Sequence, residues 1–237
     1  MKVSKASALS VVSLGFFATM IQAQGAAPVG ATPELSYFGR ASIKIKTASG
    51  YVIYIDPYAK ADYSEPADLV LVTHGHGDHN QVKLVSLKSG AVVAAPSGAG
   101  SAKGATVMAE GSKLELDLGR LSVLALPAAN KNHDRKESVG YLLSFDGIVL
   151  YHAGDTDYLP EMESYAKYNI DYALLPCDGF YNMGSAEASR SAQAMKARHV
   201  VPIHSDKAGL FNEKNATAVG GPGLIVLGPG EKTPLGK

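Results

Sequence analysis

The chain of 237 residues contains no tryptophan and one cysteine, Cys177. A lone cysteine excludes an internal disulfide, so stability has to come from a packed core and any bound metal. Cys177 ends the apolar run Leu174-Leu175-Pro176-Cys177, which reads as a buried small residue rather than a reactive thiol. An excess of charge is also missing, since 22 Lys+Arg face 22 Asp+Glu. That balance leaves no electrostatic case for a polyanionic partner such as nucleic acid. No internal repeat or compositional break appears, and the 25 glycines and 12 prolines are scattered. Collagen-like and solenoid architectures are excluded, and many tight turns between short elements are implied. With 46% hydrophobic residues, the chain can bury a full core, which excludes disorder.

The N-terminal segment reads as an address. Lys2 and Lys5 precede an apolar run at residues 8–21, and Ala23 offers a small residue just before Gln24. The run falls short of the roughly 20 residues that a membrane span requires. Residues 1–23 are therefore expected to be a signal peptide, the alternative being an uncleaved anchor. A secreted or periplasmic protein, free of the membrane after cleavage, follows. Cleavage removes two lysines and no acid, which leaves a slightly acidic chain. Residues 24–34, rich in Ala, Pro and Gly, are expected to form a flexible lead-in to one domain over 35–237.

Short apolar runs, many of them rich in β-branched residues, predict strands at Ser42–Lys46, Tyr51–Ile55, Leu69–Thr73, Ala91–Ala95 and Leu121–Leu126. Further strands are predicted at Val139–Phe145, Ile148–Tyr151, Tyr172–Pro176, Val200–His204 and Leu224–Leu227. Asp146-Gly147 between two of them is a two-residue hairpin signal. Helices are predicted at Gln81–Lys88, Tyr158–Lys167 and Ser185–Ala197, the last capped by Ser185 with Glu187 in its first turn. Two sheets with helices outside them satisfy this order.

The chemistry concentrates in Thr73-His74-Gly75-His76-Gly77-Asp78-His79, which follows a buried apolar strand. Ligands at i and i+2 on extended chain point the same way, so His74 and His76 can share one cation. Gly75 and Gly77 would let the backbone turn sharply, bringing Asp78 and His79 toward a second. Imidazole and carboxylate suit zinc and neighbouring transition metals. Three further residues sit at or beyond strand ends: His133 in Asn132-His133-Asp134, Asp155 in His152-Ala153-Gly154-Asp155-Thr156, and His204 after Val200-Val201-Pro202-Ile203.

The pattern His-x-His-x-Asp-His after a strand, with those three residues downstream, resembles the metallo-β-lactamase-fold hydrolase superfamily over roughly residues 35–231. Tyr54-Ile55-Asp56-Pro57-Tyr58, His152–Thr156 and Gly179-Phe180-Tyr181-Asn182-Met183-Gly184 resemble its small ascorbate-phosphate lactonase-like branch. The resemblance implies an α/β fold, an αββα sandwich of two mixed β-sheets with helices on the outer faces. It implies two divalent metal ions, zinc first, with manganese or iron as alternatives. His74, His76 and His133 would bind one ion, Asp78, His79 and His204 the other, and Asp155 would bridge them. A shared hydroxide, oriented by Asp78, would attack a small ester, lactone, thioester or phosphoester. The β-lactam-cleaving subclasses place a cysteine among the second-metal ligands or lack the bridging carboxylate. Asp155 stands at that position here, so a true β-lactamase is not implied.

Each residue also has a plainer reading. His133 sits in a polar stretch that could be a solvated loop, and Asp155 could cap a helix. Asp56 could accept the free N–H of a ligand histidine, or simply turn the chain before Pro57. His152 reads as a core or supporting histidine and His199 as a connector residue. Tyr181 and Asn182 lie where the family builds its substrate pocket. Two other functions remain open: a mononuclear iron oxidoreductase acting on a sulfur substrate, and a non-catalytic metal-binding protein.

Overall fold

Among the described residues, thirteen short strands account for most of the regular structure. The computed structural model describes residues 31–58, 60–99 and 104–237, so the expected signal peptide and residues 24–30 lie outside the described residues. In chain order the strands are β1 (Glu34–Gly39), β2 (Ser42–Lys46), β3 (Val52–Ile55), β4 (Ala67–Leu71), β5 (Leu87–Ala95) and β6 (Thr106–Val107). They continue with β7 (Lys113–Leu116), β8 (Leu121–Pro127), β9 (Val139–Phe145), β10 (Ile148–His152), β11 (Tyr172–Pro176), β12 (His199–Ile203) and β13 (Lys232–Pro234). One sheet has the order β13-β1-β2-β3-β4-β5-β6 and the other β12-β11-β10-β9-β8-β7. Both are mixed. β3, β4, β5 and β6 run parallel in the first, and β10, β11 and β12 in the second.

Period-two alternation explains the stacking. Ile53, Ile55, Leu69 and Leu71 face Tyr141, Leu143, Leu174 and Ile203 across the inter-sheet core. Each fully buried Leu or Ile there contributes about 1.5–3 kcal/mol relative to exposure. The alternate residues Leu142, Tyr151, Ala173 and Leu175 face outward, beneath Met162, Tyr165, Ala188 and Ala192 of two helical segments. Those segments are a 3₁₀ helix at Pro160–Tyr168 and α1 (Ser185–Ala194), with the short α2 (Glu213–Thr217) nearby. On the other outer face, Val52, Tyr54 and Val70 pack against Phe38, Tyr63 and Val85 from strand and loop segments. Helical cover is therefore concentrated on one side of the sandwich.

Four expectations need correction. Gln81–Lys88 forms one 3₁₀ turn, Val82–Leu84, because Leu87 already pairs with Ala67 in the sheet. Leu224–Leu227 is no strand: Leu224 makes a single bridge to Val200, and glycines flank the segment. Ile225 and Leu227 are apolar because they pack on the inter-sheet core. Ser185 does not cap α1. Gly184 holds that position, and Ser185 Oγ donates to the Asn215 carbonyl. Glu34 belongs to β1 rather than to the lead-in. The Asp146-Gly147 hairpin forms as read, with both residues at positive φ (49° and 77°).

Gly154 has φ +64°, and a Cβ there would meet Thr73 Cβ at 2.9 Å. Gly154→Ala is expected to destabilise the fold by about 2–4 kcal/mol, from backbone strain plus overpacking. Urea denaturation reads this directly, and an unchanged midpoint would contradict it.

Candidate metal centre

Strand ends assemble the centre. After β4 the chain continues extended, Val72 N–H donating to Ala94 O at 2.9 Å. It then coils through His74–His79, where His79 N–H closes on His76 O at 3.1 Å. Gly75 is needed for space rather than for turning: its φ is not positive, and a Cβ would run into the Gly98 carbonyl oxygen. Gly77 has ordinary φ and open surroundings, so the expected sharp glycine turn is absent there. The left-handed non-glycine residues at the centre are instead Arg40 (φ 54°) between β1 and β2, Asp56 (φ 49°) after β3 and His204 (φ 41°) after β12. Such conformations cost about 1–3 kcal/mol and persist only where the surroundings fix them.

All seven residues expected to bind metal come together. Three overlapping groups, His74/His76/His133, His74/His79/Asp155 and Asp78/His79/His204, each hold their ligand atoms within 4.8 Å of one another. His74 Nε2 lies 3.1 Å from His76 Nδ1, and the His133 ring centre is 4.7 Å from that of His74. On the other side, His204 Nε2 is 3.6 Å from Asp78 Oδ2, and His79 Nε2 is 3.8 Å from Asp78 Oδ1. Asp155 Oδ2 sits between the two sets. It lies 3.4 Å from His133 Nε2 and 3.5 Å from both His79 Nε2 and His204 Nε2.

The far side of each ring explains this convergence. His79 Nδ1–H donates to Asp56 Oδ2 at 2.8 Å, and His133 Nδ1–H to Asn130 Oδ1 at 2.8 Å. His204 Nδ1 lies 2.8 Å from Asp178 Oδ2. The Thr73 hydroxyl gives its proton to Asp56 Oδ2, so Thr73 Oγ1 accepts from His74 Nδ1–H at 3.0 Å. With Nδ1 turned to these partners, each Nε2 faces the centre, where it offers a lone pair once any proton on it has left. Asp56 thus both turns the chain and holds a histidine, which joins the two readings left open above.

Burial and charge divide the cluster. Burial pushes His133 down to about 4, and burial with the neighbouring His79 holds His74 well below the usual imidazole range. Burial opposes the charged form of His204 too, yet Asp155, Asp178 and Asp78 raise it to about 9. Asp155 and Asp56 likewise raise His79 against its burial. The buried Asp155 is held well below the carboxylate range by His79 and His204. Buried His79 Nε2, His133 Nε2 and Asp155 Oδ1 have no hydrogen-bond partner, at about 1–3 kcal/mol each. Divalent cations among these lone pairs would satisfy them, and neutral imidazole with carboxylate is a donor set that zinc accepts. The residues fit the group.

Sequence reasoning missed Thr73, Asn130 and Asp178, which orient His74, His133 and His204, and also Arg40. Asp178 follows a buried strand just as Asp56 does, so the signal was present. Arg40 comes from the turn between β1 and β2, where nothing in the sequence marks it. Tyr181 lines a cavity of about 440 Å³ over the cluster, together with Arg40, Asn132 and Lys207. Asn182 is not among the lining residues. Its amide joins Asp178 Oδ2 (2.9 Å) to Asn130 (3.3 Å) behind the centre. His152 is a core histidine, its Nε2–H donating to Ala41 O at 2.9 Å. His199 opens β12 with its ring stacked on Tyr172, and Cys177 is buried with its thiol pushed up to about 12.

Asp56→Asn sets an NH₂ against donors from Thr73 or His79. It is expected to weaken metal affinity by about 10–100-fold, read by competition with a chromogenic chelator. An unchanged affinity would remove Asp56 from the support of the centre.

Comparison with known proteins agrees with this geometry. The family model described as "Beta-lactamase superfamily domain" matches residues 34–204. A UPF0173 metal-dependent hydrolase of Pyrococcus furiosus is 33% identical over 195 residues, covering 72% of this chain and 84% of the relative. A second, from Myxococcus xanthus, is 33% identical over 204 residues, covering 75% and 73%. In fold the chain is similar to Igni18, a metallo hydrolase from Ignicoccus hospitalis, with TM-score 0.69 and 24% identity over 87% of this chain and 100% of that one. A domain match over most of the described chain and relatives at this identity settle the assignment: the chain belongs to the β-lactamase superfamily, among the UPF0173 metal-dependent hydrolases.

Proposed function

We propose that the protein binds two divalent ions, zinc first, and hydrolyses a small ester, lactone, thioester or phosphoester. The observation that carries this reading is the position of Asp155 Oδ2, 3.4–3.5 Å from three inward-facing imidazole nitrogens drawn from both ligand sets. His74, His76 and His133 would hold one ion, Asp78, His79 and His204 the other, with Asp155 shared between them. When bound, such ions lower the pKa of water toward neutrality and offset negative charge on the reacting group.

The chain's own residues supply the rest. Asp78, half-buried at the cavity wall, can accept a hydrogen bond from water and so orient it. Thr73, Asn130, Asp56 and Asp178 fix the rings before substrate arrives, so little reorganisation accompanies reaction. The balanced composition and the cavity size favour a small molecule over a nucleic acid. Export from the cytoplasm is part of this reading and rests on Lys2, Lys5 and the apolar run at residues 8–21.

Two measurements test it. Elemental analysis of purified protein is expected to give two divalent ions per chain. A panel of lactones, thioesters, esters and phosphodiesters is expected to find turnover in at least one class. One iron per chain, with oxygen consumption on a sulfur substrate, would replace this reading with the oxidoreductase.

A further inference from the structure

Two of the four residues that line the cavity beyond the metal cluster are cations and none is an anion. Asp78 and Asp155 face it as members of the cluster, whereas Arg40, Asn132, Tyr181 and Lys207 form the wall that a substrate meets. Asp206 and Asp178, the carboxylates beside these residues in the chain, are engaged elsewhere. Asp206 Oδ1 accepts from its own loop at Ala208 N and Gly209 N, and its Oδ2 from Asn212 Nδ2. Asp178 is spent on His204 and on the backbone N–H groups of Phe180, Tyr181 and Asn182.

The two cations are held in different ways. Arg40 is about nine-tenths buried, and its Nη1 donates to the carbonyls of Asp206 (3.1 Å) and Lys207 (3.4 Å). Its Nη1 also lies 3.5 Å from His204 Nε2 and 3.9 Å from Asp78 Oδ2, beside the cluster, while its buried Nε has no partner. Arg40 therefore places a fixed charge next to the reacting centre and anchors the segment carrying Lys207. Lys207 Nζ stands 3.6 Å over the Phe180 ring, so the aromatic face steadies the ammonium without neutralising it. Among the described residues no carboxylate lies within 4 Å of that nitrogen.

We propose that the substrate carries a second, anionic group besides the bond that is broken, a carboxylate or a phosphate, seated between Lys207 and Arg40. This rests on the hydrolytic reading above and narrows it to anionic esters and lactones. Arg40 already faces Asp78, but the Lys207 ammonium has no acidic counterpart, so it repels a cationic substrate and is left without a partner by a neutral one. A charge-assisted hydrogen bond to Lys207 is worth about tenfold or more in affinity.

The test uses the metal-loaded protein and matched esters with one leaving group. Mono-4-nitrophenyl succinate and 4-nitrophenyl butyrate differ chiefly in the distal carboxylate, and a 4-nitrophenyl 3-phosphonopropionate supplies the phosphonate arm. The wild type is expected to favour the anionic esters by tenfold or more in kcat/KM, and the better anion identifies the group. In Lys207→Met that ratio falls toward one through KM, and in Lys207→Arg it is largely restored. Taking a ratio cancels any general loss in the variant, and Lys207 is exposed enough to replace without unfolding. Binding supplies a readout free of turnover: glutarate is expected to raise the melting temperature more than neutral glutaramide, with that difference reduced in Lys207→Met. Turnover of butyrate with no preference for either anion overturns the anionic seat and leaves the hydrolase standing. A glutarate effect that depends on Lys207, with no ester cleaved, keeps the seat and overturns ester hydrolysis. A ratio unchanged by Lys207→Met removes Lys207 from recognition.

Discussion

Asp155→Ala is expected to lower the metal content below one ion per chain and to reduce turnover by 1,000-fold or more. Three Nε2 atoms, from His79, His133 and His204, surround one carboxylate oxygen at 3.4–3.5 Å. Alanine would leave those lone pairs without the one charge common to both ligand sets. The remaining imidazoles could still hold an ion on the His74/His76/His133 side, so a residual site of low affinity is expected rather than none. Loss of the fold is not expected. Asp155 adds no inter-sheet packing, and His79 and His204, which its charge keeps protonated in the metal-free protein, can shed their protons once it is gone. Elemental analysis, paired with circular dichroism to confirm folding, gives the answer. A folded variant with two ions and wild-type turnover would sink the assignment of Asp155.

How far the sequence could be read depended on the range of the forces involved. β9 and β11 appear with the bounds that their apolar runs predict, Val139–Phe145 and Tyr172–Pro176, because burial on both faces gives a continuous apolar signal. β7 and β13 carry little such signal. Lys113–Leu116 alternates charged and apolar residues, and Lys232–Pro234 is three residues long with a proline. Pairing with β8 and β1 makes them strands, and a partner distant in the chain is invisible locally. The same holds in reverse at Leu224–Leu227, where apolar residues serve a core contact without a strand partner.

The metal cluster was legible because coordination demands particular residue types. Imidazoles and carboxylates at strand ends are rare enough to stand out, even 125 or more positions from the first motif, as with His204. Its supports were less visible, since a threonine, an asparagine or an aspartate orients a ring in ways composition does not mark. Arg40 is the extreme case. Its backbone carbonyl accepts His204 N–H at 2.7 Å and its side chain enters the cavity, yet it lies in a hairpin turn far from every ligand in the sequence.

Removing the metal is expected to lower the melting temperature by about 8–16 °C, with zinc restoring it. A ligand that binds only the folded state at about 1,000 times its dissociation constant adds about 4 kcal/mol. For a domain of about 150–250 residues, each kcal/mol moves the midpoint by about 2–4 °C. The size is plausible because the metal-free centre contains buried atoms without partners, and the ions would satisfy them. The effect also has a sign in pH. Protons and metal compete for the same imidazole lone pairs, and in the metal-free protein the surrounding carboxylates hold a proton on His204 up to about 9. Metal uptake at neutral pH therefore releases protons, and the stabilisation shrinks as pH falls. Melting curves with and without chelator at several pH values measure both. Equal midpoints, once metal loss is verified, would mean that the seven ligands gather without gaining stability from an ion, and the dinuclear reading would lose its energetic basis.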